Sequence, residues 1–334
     1  MCLTIKPVGK KLPFPTLLIF IALGMLLGVI GPAHIDFSDY ALTETACSTA
    51  LLFIMFYGGF NTNIDRAKPV AAPAVLLSTL GVVITAGITG VFAHLVLGFD
   101  WIGGLLLGSV VASTDAASVF SVLREHNLSL RDGTDSLLEV ESGSNDPVAY
   151  MLTAVLATLA AGGNIDIPML LAKQIILGVG LGLAIGWASS CLIERAHATA
   201  EGAQTIFLFA VAIVAYALPS YLGGNGFLAV YLAGIVLGAS DITGKVEMAH
   251  FFDTLTEMAE MTIFFLLGLL VTPARLPQML LPGLALMAFM LFVSRPIAVG
   301  ALLAPFKTNP PARLHSSVGR ACAAQPRSCL ASLP

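Results

Sequence analysis

The chain has 334 residues, 57% hydrophobic and 11% charged, with mean hydropathy +0.90 and a formal net charge of −4. Soluble domains carry about 25% charged residues, so a globular cytosolic protein is excluded, and without a basic arm nothing points to nucleic acid. Dividing the chain by the roughly 20 apolar residues that cross a bilayer as a helix predicts an all-α polytopic membrane protein of about ten transmembrane helices.

The predicted spans, in chain order, are 12–32, 45–60, 70–98, 101–123, 134–160, 168–192, 203–219, 222–240, 251–272 and 278–305. The first follows Lys6, Lys10 and Lys11. With no small-x-small cleavage site after it, it reads as a retained span rather than a signal peptide. Arg66 and Lys68 follow the second span, Arg124 and Arg131 the fourth, Arg195 the sixth, Lys245 the eighth and Lys307 the tenth. The alternate loops carry Asp36, Asp39, Glu44, Asp100 and Asp166, with Arg275 their lone basic residue. By the positive-inside rule the N-terminus and everything from residue 307 onward are cytoplasmic. The five cysteines (Cys2, Cys47, Cys191, Cys322 and Cys329) show no C-x-x-C spacing and read as small apolar residues. No cofactor is expected.

Span 5 contains Glu141-Ser142-Gly143-Ser144-Asn145-Asp146-Pro147. A central Asp costs roughly 2.5–3.5 kcal/mol on insertion scales, so carboxylates at this depth mark an ion or proton site lined by protein or water. Glu141 and Asn145 are four residues apart, as are Ser142 and Asp146, and each pair stacks on one helical face. Asp146 can bind a bare monovalent cation when ionised and release it when protonated, while Asn145 and Ser142 supply neutral oxygens. Pro147 has no N–H, so it cannot serve the Gly143 carbonyl and leaves that oxygen as a further ligand. Span 4 carries Ser113-Thr114-Asp115 at mid-depth, which suits a broken helix. Thr114 can present its hydroxyl or carbonyl to the same cation, and Asp115 either caps the broken end or joins the site. Arg295 in span 10 must be paired, with Glu141, Glu139, Asp146 and Asp115 as candidates. Glu141 is favoured, because pairing with Asp146 would block cation entry. Span 9 carries Asp253, Glu257 and Glu260, of which the 253/257 pair points to a water-filled entrance near the cytoplasmic end or a solvated face, and His94 points to packing rather than a proton relay.

Gly108 to Ser121, Glu141 to Pro147 and the Arg295-Pro296 pair together resemble the NhaP-type branch of the cation/proton antiporter superfamily, and bacterial K+/H+ antiporters in particular. The resemblance runs from about Lys11 to Lys307. It implies inverted repeats, crossed broken helices, a core domain and a dimerisation domain, and alternating access in a bacterial inner membrane. It further implies K+ or Na+ exchanged for H+, a homodimer in the lipid bilayer, a transporter rather than an enzyme, and a role in pH homeostasis. Carried onto this chain, Asp146 is the essential carboxylate with Asn145 beside it. Ser142, Thr114 and Asp115 belong to the cation site, and Glu141 with Arg295 forms the structural ion pair. Asn-Asp rather than Asp-Asp resembles the electroneutral class.

The chain departs from that pattern in three places. Ala116 stands where many relatives have Pro, no further helix precedes the first span, and residues 310–334 offer no spanning window. The expected organisation is therefore a transmembrane exchanger domain over 1–306, with the second repeat incomplete, and a cytoplasmic, disordered or aberrant tail over 307–334. A transport-inactive fragment of such an antiporter is the alternative reading. A channel or organic-anion symporter would need more basic residues than Arg295, and an aspartyl or serine intramembrane protease finds no second catalytic partner.

Overall fold

The computed structural model describes residues 16–28, 37, 39–113, 134–163, 166–196, 201–240, 242 and 244–304. The described chain is helical, and each predicted span overlaps a helix: α1 (Thr16–Leu27), α2 (Tyr40–Asn61), α3 (Lys68–Leu97), α4 (Trp101–Val111), α5 (Thr134–Ala160), α6 (Ile167–Ala196), α7 (Glu201–Tyr221), α8 (Gly226–Ala239), α9 (Lys245–Leu270) and α10 (Leu276–Leu303). Of the predicted fourth span, 101–123, the helix takes Trp101–Val111, and residues 114–123 lie outside the described residues. Among the described residues α2, α3, α6, α7 and α10 are long and apolar enough to cross a membrane. α1, α4 and α8 are apolar but shorter. α5 and α9 are long enough but charged. α5 carries Asp135, Glu139, Glu141 and Asp146, and α9 begins at Lys245, ahead of the predicted 251, with Glu247, Asp253, Glu257 and Glu260. The expected tail, 307–334, lies outside the described residues.

The helices group into two compact units, one within 1–61 and 177–281, the other within 62–176 and 282–334. In the first, aromatic side chains fill the core: Phe53, Phe56 and Phe60 of α2 meet Phe227 of α8 and Phe252 of α9. The Phe53 and Phe209 rings stack at 4.8 Å, and Phe56 and Phe252 lie at 4.9 Å. Such pairs add about 0.5–1.5 kcal/mol beyond area burial. α2 and α8 approach closely because Gly234 has no side chain; a Cβ there would lie 3.0 Å from the Phe60 nitrogen. Asn225 caps α8, its side chain accepting from Leu228 N at 3.0 Å. Asp253 accepts a 2.9 Å hydrogen bond from the Tyr57 hydroxyl.

In the second unit α3 and α4 form a helical hairpin. Gly98 closes α3 in the left-handed conformation at φ 77°, and Asp100 starts α4 by accepting from Gly103 N at 3.1 Å. His94, in the last turn of α3, donates through Nδ1 to the Phe99 carbonyl at 2.6 Å and stacks on Trp101 at 4.0 Å. Gly104 and Gly108, one turn apart on α4, pack into α3: a Cβ on Gly108 would sit 2.9 Å from the Gly90 nitrogen. Small residues at this spacing let backbones touch, which in a membrane replaces the hydrophobic driving force between helices. Val82 and Ala86 of α3, Ala112, and Ala149 of α5 close the contact, bringing the end of α4 against the middle of α5.

Candidate cation site

α5 runs unbroken from Thr134 to Ala160 with Pro147 inside it, so Glu141, Asn145 and Asp146 share one helical frame. Glu141 and Asn145 are buried, Asn145 completely. Asn145 Nδ2 donates to Glu141 Oε1 at 3.5 Å, one helical turn away. Arg295 NH1 of α10 donates to the same Glu141 oxygen at 3.2 Å. The guanidinium side chain is 18% exposed and the carboxylate 7%. Among the described residues Arg295 is ion-paired with Glu141.

α4 ends at Val111, and Ala112 turns the chain out of the helix. Ser113 follows, and its hydroxyl is shared between Asn145 Oδ1 at 3.3 Å and Asp146 Oδ1 in a short contact. Ser113 was no more than part of a motif in the sequence; its position directly before Thr114-Asp115 was the available signal. Four residues earlier, Ser109 Oγ donates to the Leu106 carbonyl at 2.8 Å and lies 2.9 Å from Thr153 Oγ1 of α5. A second hydroxyl link therefore joins the two helices below the carboxylate. Ser142 and Asp146 are half-buried. Thr114, Asp115 and the side chain of Glu139 lie outside the described residues.

This arrangement places the Asp146 carboxylate beside hydroxyl and amide oxygens, and Arg295 is ion-paired with Glu141. Asn145 serves both: its amide N–H₂ faces Glu141 while its oxygen faces Ser113, beside Asp146. A neutral oxygen set around one ionisable oxygen can hold a monovalent cation and can equally hold a proton.

A family model described as the transmembrane sodium/hydrogen exchanger matches residues 1–324. The K(+)/H(+) antiporter NhaP2 of Shewanella sp. (strain MR-4) is 40% identical over 311 residues, covering 91% of this chain and 53% of that protein. The K(+)/H(+) antiporter NhaP of Alkalimonas amylolytica is 37% identical over 302 residues, covering 90% and 52%. The sodium proton antiporter MjNhaP1 of Methanocaldococcus jannaschii, solved at pH 8, superposes with TM-score 0.75 at 26% identity, covering 90% of this chain and 77% of that one. The chain spans about half the length of the curated relatives it matches. With the family model covering nearly all of it, the chain belongs to the transmembrane sodium/hydrogen exchanger family.

Proposed function

We propose that this membrane protein exchanges a monovalent cation, K+ or Na+, for H+ by alternating access, with Asp146 as the carboxylate that both ions share. One observation carries the reading: Asp146 stands in mid-helix with the Ser113 hydroxyl and the Asn145 amide beside it, while the neighbouring Arg295 lies on Glu141. Ionised, Asp146 neutralises a desolvated cation. Protonated, it loses its hold on the cation and carries the proton back. The Asn145-Asp146 pair resembles that of the electroneutral class, one cation for one proton. Ser142 and the Gly143 carbonyl, which Pro147 cannot serve with an N–H, complete the oxygen set with Thr114 and Asp115. Glu141 and Arg295 hold the surroundings rather than the ion. The names of the relatives support both cations, K+ for those near 40% identity and Na+ for the M. jannaschii protein.

In the bacterial inner membrane, with the N-terminus cytoplasmic and the protein paired as a homodimer, such exchange serves pH homeostasis. The test is the Asp146→Asn variant in everted vesicles loaded with a pH-quenched dye. K+ or Na+ should dequench the dye with the parent chain and not with the variant, at equal membrane content. Undiminished exchange by Asp146→Asn removes Asp146 from the mechanism.

A further inference from the structure

Thr85 and Thr89 of α3 and Ser294 of α10 form a cluster of hydroxyl residues sealed from solvent, each fully buried. Ser294 Oγ donates to the Thr85 carbonyl at 3.1 Å and lies 3.0 Å from Thr89 Oγ1. A serine has one hydroxyl proton. With that proton on the Thr85 carbonyl, Thr89 is the donor to Ser294, and the two bonds form a directed chain from Thr89 through Ser294 to Thr85. Polar bonds between membrane helices pin one register of the contact, because a slipped register leaves them unmade in a medium without water.

The register pinned here is an unusual one. Ser294 is the last residue of a π-helical turn, Met290–Ser294, and Arg295 comes next. A π-turn inserts one residue into the helix, rotating everything after it by about 100°, the angle per residue of an α-helix. The direction in which Arg295 leaves α10 therefore depends on where that turn sits. From Arg295 the contacts continue to Glu141 Oε1 at 3.2 Å, from the same oxygen to Asn145 Nδ2 at 3.5 Å, and from Asn145 Oδ1 to Ser113 beside Asp146.

We propose that Ser294 and Thr89 are positioning residues for the cation site: their hydroxyls lock the π-turn of α10 onto α3, so that Arg295 meets Glu141 and Glu141 orients Asn145 beside Asp146. Neither hydroxyl touches the ion. This inference rests on the exchange reading above and adds to it two residues that the ion-binding motif does not contain.

The test uses the chain in liposomes and in detergent. Ser294→Ala and Thr89→Val should each raise the half-saturating cation concentration about threefold to tenfold, the size of one lost neutral hydrogen bond. The maximal rate should change less. Thr89→Ser, which keeps the hydroxyl, should restore the parent value, and the double variant should resemble Ser294→Ala, which already removes the bond that Thr89→Val removes. In equilibrium unfolding, Ser294→Ala should be non-additive with Glu141→Gln. A merely structural role lowers stability but leaves half-saturation unchanged; that result overturns the proposal, as does a Thr89→Ser protein no better than Thr89→Val. If the parent chain drives no cation-dependent proton flux, the exchange reading has failed. The unfolding cycle then decides the lock alone, upheld by non-additivity and overturned by additivity.

Discussion

Breaking the Glu141–Arg295 pair from each side in turn should give unequal losses, and the structure says which side is worse. The carboxylate is 7% exposed and the guanidinium 18%, with 3.2 Å between NH1 and Oε1. Arg295→Met removes the cation and leaves a buried carboxylate whose remaining described donor is Asn145 Nδ2 at the limiting distance of 3.5 Å. Removing one partner of a buried pair costs roughly 3–5 kcal/mol. Glu141→Gln leaves the charge on Arg295, whose long side chain can reach water and whose new neighbour still offers a carbonyl oxygen. About 1–3 kcal/mol is expected there, the cost of a poorly satisfied polar group. The double variant buries neither charge and should cost no more than Arg295→Met alone, because replacing a whole buried pair by uncharged groups is often close to neutral. The assay is equilibrium unfolding in mixed detergent and SDS, followed by helical circular dichroism. Costs that add within about 0.5 kcal/mol, or a Glu141→Gln protein weaker than Arg295→Met, would refute the pairing as the source of stability.

Competition for one carboxylate predicts that the half-saturating cation concentration rises about tenfold per pH unit on the acid side of the carboxyl's titration and is flat on the alkaline side; a pH-independent value in the vesicle assay contradicts a shared site. Thr85 Oγ1 is buried with no hydrogen-bond partner among the described residues. Thr85→Val should therefore leave unfolding unchanged or make it harder, since it deletes an unsatisfied group while keeping the shape; a marked loss in the same SDS titration would show that the hydroxyl is in use. Gly108→Ala places a methyl 2.9 Å from the Gly90 nitrogen, whereas a Cβ at Gly87 meets nothing within 4 Å among the described residues. The first should cost about 1–3 kcal/mol by overpacking. The second should gain up to about 1 kcal/mol from lost backbone freedom, and equal effects in unfolding would contradict the close α3–α4 approach.

The spans and the shared helical frame of Glu141, Asn145 and Asp146 could be read directly from the residues, because both are properties of a single stretch of chain. Apolar windows located each long helix among the described residues, and the four-residue spacing of Glu141 and Asn145 put them on one face before any fold was known. At α9 hydropathy alone misjudged the start because of charge: the helix begins six residues early, at Lys245, since a helix continues into polar surroundings without needing apolar side chains. The choice of Glu141 for Arg295 followed from charge logic, but the contact itself joins residues 154 apart in sequence. The aim of Ser113 at Asp146, the Ser109–Thr153 link, the π-turn before Arg295 and the Thr89–Ser294 lock had no signature in the sequence. Each depends on the rotation and axial register of helices distant in the chain, and those are set by glycine contacts and interlocking side chains between helices. Periodicity tells which residues share a face; packing alone decides which face meets which, and so which hydroxyl meets the carboxylate.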